Sequence, residues 1–150
     1  MSFSNKVVWI TGASSGIGKS LAIELSNLNA KLILSSRKEH SLKEVKAACK
    51  NTADVEIITL DLEAYDNFKP KVEEAISFFG SIDILVNNGG ISQRSLIVNT
   101  QISVDKRIMN VNYLGTIALT KAVLPHFIEN KNGQFVVTTS IVGKIGTPLR

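Results

Sequence analysis

In the stretch WITGASSGIGKSLA, residues 9–22, three glycines and two serines stand between an apolar run and a helical one. A strand that ends in such a turn and passes into a helix leaves several backbone N–H groups unpaired and aimed at one spot. The helix dipole adds partial positive charge there. Together they form an anion site suited to a pyrophosphate. Gly12 would allow the tight turn, Gly16 would let the backbone approach the phosphates, and Gly18 would let the helix pack on the strand. Ile17 belongs to the same binding loop. The spacing is G-x-x-x-G-x-G, so neither the common G-x-G-x-x-G nor the nucleoside-triphosphate loop G-x-x-x-x-G-K-[ST] is matched.

A second set of residues tests what carries the pyrophosphate. A dinucleotide with a free ribose 2′-hydroxyl is usually held by a carboxylate about 20 residues further on. Here the next apolar run ends Ser35-Ser36-Arg37-Lys38, and the first carboxylate is Glu39. Arg37 offers a planar fork for a 2′-phosphate and Lys38 adds charge. Ser14 and Ser15 can donate hydroxyls to the same group. The expected cofactor is therefore NADP(H) rather than NAD(H). Asp61-Leu62 follows a third apolar run. Asp61 could accept from an adenine amino group while Leu62 covers the ring, or Asp61 could be a turn or N-cap aspartate.

These residues need a scaffold, and the chain pattern supplies one. Short β-branched runs at 6–10, 31–35, 55–60, 82–87 and 134–140 alternate with helical stretches at about 16–29, 41–50, 65–79 and 103–130. Strands alternating with helices imply a parallel sheet with crossover helices. The expected fold is α/β, a Rossmann-type doubly wound parallel sheet with helices on both faces. The 150 residues suffice for one domain with a core, and the 44% hydrophobic content is ordinary for a globular chain.

Other classes are disfavoured. No apolar run approaches the ~18 residues of a bilayer span. The N-terminal MSFSNKVVWITG reads as a first strand and not as a signal peptide, so a cytoplasmic location is expected. A net charge of +4 with scattered basic residues argues against nucleic-acid binding. Cys49 is the sole cysteine and reads as a small helix residue. His40 and His126 lack ligand spacing, so both read as surface residues and no metal is expected.

ILVNNGG (84–90), NVNYLGT (110–116) and FVVTTSIVGKIGTP (135–148) complete a pattern. TGASSGIG, NNGG, N-x-x-G and the serine, in this order, closely resemble the short-chain dehydrogenase/reductase superfamily over essentially the whole chain. NNGGISQRSL (87–96) is similar to the dehydrogenase/reductase member seven group, with Gly89 where the usual pattern has alanine. The resemblance implies an oxidoreductase that moves a hydride between NADP(H) and a small-molecule carbonyl or alcohol. It makes Asn87 structural and places Asn88, Gly89 and Gly90 beside the cofactor. Asn112 matches an asparagine that holds a water in a proton relay. Its apolar neighbours Val111, Leu114 and Leu119 suggest a buried side chain, although a solvated helix face is the alternative. Ser140 matches the serine that hydrogen-bonds the substrate carbonyl; otherwise it is a strand-end serine.

The family's proton donor is a tyrosine in Y-x-x-x-K, expected roughly thirteen residues after the serine and so just past Arg150. Bringing a phenol from about 10 to about 7 needs roughly 4 kcal/mol of differential stabilisation. Neither Tyr65 nor Tyr113 stands at the motif's place. Gly143, Gly146 and Pro148 mark a loop. Residues 1–150 are therefore expected to be the NADP-binding front part of a longer enzyme, inactive alone and a homodimer or homotetramer when complete. Only ten residues precede Thr11, so no membrane anchor is expected. The alternative is a dinucleotide-binding module without turnover.

Overall fold

A computed structural model describes residues 2–146; Pro148, in the loop marked above, lies outside them. Five strands lie parallel in the order β3-β2-β1-β4-β5: β1 (Val7–Thr11), β2 (Lys31–Ser36), β3 (Val55–Thr59), β4 (Ile84–Asn87) and β5 (Gln134–Val137). The helices between them are α1 (Gly16–Asn27), α2 (Glu39–Ala48), α3 (Phe68–Phe79), α4 (Ile102–Met109) and α5 (Thr116–Glu129). The expected doubly wound fold is the one observed.

The period of two in the strands assigns the faces. Val7 and Trp9 of β1 join Ile33 and Leu85 in a core with Phe68 and Val72 of α3 and Leu119 and Val123 of α5. Val8 and Ile10 join Leu32 and Leu34 in the opposite core, with Ala22 and Leu25 of α1 and Leu42 and Val45 of α2. The central strands are apolar at almost every position because both faces are covered. Cys49 is buried at the end of α2, and burial pushes its thiol up despite a hydrogen bond with Ser26.

Two elements differ from the expectation. The long helical stretch is not uniform: Asn110–Gly115, between α4 and α5, winds as a widened π-turn. β5 stops at Val137 instead of Ser140. Thr138 still bonds to Asn87 O through its N–H at 3.0 Å, but its hydroxyl turns to Asn88 and the chain bends into a 3-10 turn at Ile141–Gly143.

The end of the sheet away from the glycine loop is gathered by one carboxylate. Asp83 accepts from Val7 N–H at 2.9 Å, from Lys6 Nζ at 3.0 Å and from Asn132 Nδ2 at 3.0 Å. Its own backbone bonds Val7 O and Gln134 N–H. It thus ties the starts of β1, β4 and β5. Nearby, His126 Nε2 accepts from Ile82 N–H at 3.0 Å, so this histidine is a partly buried bracing group and not the surface residue expected. Burial raises the Asp83 carboxyl, but the Val7 N–H, Lys6 and Asn132 outweigh it and hold the group below the ordinary 3.8. A lowered folded value means that its stabilisation is full above 3.8 and lost as pH falls through the folded value. Asp83→Ala is expected to cost about 2 kcal/mol in urea unfolding at pH 7. The gap to the wild type should narrow in the same measurement as the pH drops below 3.8.

Candidate functional site

The strand order reverses between β1 and β4, and at such a switch point the loops leaving the strands' carboxyl ends diverge and open a crevice. A cleft of about 530 Å3 lies there, within the range of small-molecule sites. One wall is the glycine loop, with Gly12, Ser14, Ser15 and Ile17. The end of β2 adds Ser35, Ser36, Arg37 and Lys38, and the segment after β3 adds Asp61 and Leu62. Asn88, Gly89 and Gly90, after β4, make the floor.

The glycine loop is built for close approach. Gly12 sits at φ +65°, and a Cβ there would lie 2.7 Å from Gly89 Cα. Gly16 sits at φ +54° with nothing within 4 Å, so the first turn of α1 faces open space. Gly18 is buried, and a Cβ there would meet the Gly12 carbonyl and come within 2.6 Å of Asn88 Nδ2. Ser15, the N-cap of α1, makes no side-chain cap hydrogen bond. The helix N–H groups are therefore not taken by the usual capping oxygen. This cradle fits a dinucleotide pyrophosphate.

The loop is held from behind. Ala13 N–H bonds Ser35 O at 3.1 Å, which fixes the turn to β2. Thr11 Oγ1 donates to Val86 O at 3.2 Å and accepts from Asn88 N–H at 3.0 Å and Gly89 N–H at 2.9 Å. Asn88 Nδ2 donates to Thr11 O at 3.1 Å and Gly12 O at 3.3 Å, and its Oδ1 accepts from Thr138. Asn88 lines the cleft, yet its amide braces β1 against β5. Asn87 is buried, and its Nδ2 donates to Thr120 Oγ1 at 3.1 Å.

At the end of β2, Arg37 and Lys38 are exposed, and neither side chain forms an ion pair among the described residues. Glu39 is turned onto Lys43 at 2.7 Å, and that bond lowers its pKa. The first carboxylate after β2 is thus engaged elsewhere. Asp61 Oδ1 accepts from Glu63 N–H at 3.0 Å, which is the turn aspartate geometry, while the residue still borders the cleft. Leu62 is buried beneath it and packs toward Gly89 and Gly115.

The two residues matched to chemistry lie outside the cleft's lining. Asn112 is exposed, contrary to the buried side chain suggested by its neighbours. The buried stripe of this helical run passes through Val111, Gly115, Leu119, Val123 and Phe127, four residues apart, and Asn112 stands one position to its side. Its amide finds main chain instead: Oδ1 accepts from Ile91 N–H and Nδ2 donates to Ile91 O, both at 2.8 Å. Ser140 is exposed past β5, and its Oγ accepts from Val142 N–H at 3.4 Å. Tyr65 does have Lys69 four residues on, so the letters Y-x-x-x-K occur once. They run from the turn before α3 into its first turn, outside the cleft's lining, and the Tyr65 hydroxyl donates to Asn110 O at 3.0 Å. Among the described residues, no group of three or more His, Cys, Asp or Glu is placed to hold a metal.

Sequence reasoning missed Thr11, Thr138, Ile91 and Gly115. Thr11 was legible as the residue before Gly12. Gly115 was the last letter of N-x-x-G, and a Cβ there would strike the Leu62 carbonyl. Thr138 and Ile91 gave no local signal, because their partners are distant in the chain.

Fold and cleft together define an α/β domain of the doubly wound class with an open cleft at its switch point. The sequence profile of the short chain dehydrogenase family matches residues 6–150, and the chain belongs to that family. It is 47% identical over 148 residues to "Dehydrogenase/reductase SDR family member 7" of Homo sapiens, covering 95% of this chain and 44% of that one. It is 39% identical over 153 residues to "Dehydrogenase/reductase SDR family member 7B" of Rattus norvegicus, covering 97% and 47%. The chain spans less than half the length of these relatives. A short-chain type dehydrogenase/reductase from Mycobacterium marinum superposes with a TM-score of 0.91 at 25% identity, covering 97% of this chain and 60% of that one. No helix among the described residues is long and apolar enough to cross a membrane.

The glycines of the site are not equivalent. A Cβ on Gly89 would lie 2.8 Å from Leu62 Cδ1, the mobile end of a side chain, and 3.2 Å from Thr11 Oγ1. Gly89→Ala is therefore expected to cost less than about 1 kcal/mol in urea unfolding, by a small shift of Leu62. Gly18→Ala drives into backbone and is expected to cost about 2–3 kcal/mol in the same measurement.

Proposed function

We propose that this chain forms the NADP(H)-binding part of an oxidoreductase that interconverts a small-molecule carbonyl and an alcohol. The observation that carries the cofactor choice is at the end of β2. Two cations, Arg37 and Lys38, border the cleft, and the first carboxylate after β2, Glu39, is paired with Lys43. A ribose 2′-hydroxyl would find no carboxylate directly after β2 free to hold it, whereas a 2′-phosphate would meet a guanidinium fork.

In this reading the first turn of α1 and the Gly12–Gly16 loop hold the pyrophosphate. Ser14 and Ser15 reach the 2′-phosphate with Arg37 and Lys38. Asp61 and Leu62 border the adenine, and Asn88, Gly89 and Gly90 support the other half of the cofactor. Bound NADPH supplies a hydride equivalent to the carbonyl carbon. Ser140 Oγ is the group assigned to the carbonyl oxygen, and Asn112 belongs to the proton path. The Tyr65 hydroxyl is committed to Asn110, and Tyr113 has no lysine four residues on. The reading therefore assigns the proton donor to the part of the whole protein outside residues 1–150, and the whole protein to a homodimer or homotetramer.

Fluorescence titration tests the cofactor choice directly. NADPH is expected to bind at least about tenfold more tightly than NADH, one charge-assisted bidentate contact being worth that much. Arg37→Ala is expected to abolish most of that preference by weakening NADPH while leaving NADH unchanged. Equal affinities in the wild type would sink the NADP(H) assignment.

A further inference from the structure

The π-turn that carries Asn112 has a support that neither the cleft nor the proton path uses. A widened turn shifts the helical hydrogen-bond ladder by one residue, and carbonyls at its ends need other donors. Two side-chain hydroxyls reach carbonyls of this turn. Tyr65 Oη donates to Asn110 O at 3.0 Å, and Thr116 Oγ1 donates to Asn112 O at 2.9 Å. The Tyr65 ring is fixed edge-on against Phe68, with centroids 6.1 Å apart, so its hydroxyl is held by the core.

The same turn is anchored twice more to the segment that contains Tyr65. Gly115 sits so close to the Leu62 backbone that no side chain fits between them. Arg107 Nε, one turn earlier on α4, donates to Glu63 at 3.2 Å. From the other side of the turn, Asn112 clamps both main-chain groups of Ile91, a residue of the cleft wall.

We infer that Tyr65 is a positioning residue: through Asn110 it holds the π-turn so that Asn112 fixes Ile91 in the wall of the dinucleotide cleft. The latch links the loop after β3 to the loop after β4. Its consequence for cofactor affinity rests on the reading given above; the latch itself does not.

The test is amide hydrogen exchange of the purified protein by NMR, with NADPH titration alongside. Tyr65→Phe keeps the ring and removes only the hydroxyl. It is expected to speed exchange at Ile91 about tenfold, the loss of one net hydrogen bond, and to leave Ile33 and Leu34 in β2 at their wild-type rates. Thr116→Val strips the other hydroxyl from the turn and is expected to act at Ile91 in the same way. Asn112→Ala should remove the Ile91 protection outright. NADPH affinity should fall by a few-fold in Tyr65→Phe. Wild-type exchange at Ile91 in Tyr65→Phe would overturn the latch, whatever Thr116→Val does. Faster exchange at Ile91 in a protein that binds no NADPH would support the latch and overturn the dinucleotide reading instead.

Discussion

The hydroxyl of Thr11 has one proton to give and two lone pairs to offer, and all three are engaged by backbone of the neighbouring strand. This small group is 2% exposed and sits where the chain's strand order changes direction. It draws the end of β1 against the turn after β4 until Gly12 and Gly89 nearly touch. The glycine loop takes its shape from that approach, and the Asn88 amide repeats the constraint from the other side. Because every partner of the Thr11 hydroxyl is main chain, that contact is insensitive to which side chains line the rest of the cleft.

The far end of the sheet is organised by different chemistry. There a carboxylate, Asp83, gathers backbone N–H, an ammonium and an amide, and aligns the starts of three strands. The cleft end uses neutral bracing groups, and among the described residues its cations Arg37 and Lys38 form no ion pair. That division is coherent for an anion site, since a structural carboxylate beside Arg37 would compete with the ligand for it. The sheet is thus clamped at both ends, by a charge at the Asp83 end and by dipoles at the cleft end.

The strands and their parallel arrangement were legible because short β-branched runs alternate with helical stretches and both faces are covered. The glycine loop was legible because its three glycines stand together between an apolar run and a helical one. Asn112 was harder. Its burial was inferred from apolar neighbours in a regular helix, and the regular helix breaks at that place. A π-turn depends on carbonyl partners such as Tyr65, far away in sequence, and no local pattern announces it. The end of β5 escaped for a related reason: Thr138 looks like another β-branched strand residue until its hydroxyl is found on Asn88. His126 lacked any ligand spacing, and its partner is the backbone N–H of Ile82, which carries no sequence mark at all.

Trp9 is the sole tryptophan of these 150 residues, and it is fully buried in β1, two residues before Thr11. Its indole N–H donates to Ser35 Oγ at 2.7 Å, and Ser35 borders the cleft. The chromophore is therefore wired by one hydrogen bond to the β2 end from which Arg37 projects. Indole emission depends on the polarity and hydrogen bonding around the ring, so the fold carries its own optical gauge. It reads the integrity of the central sheet from within the core, one side chain away from the place where a ligand would press.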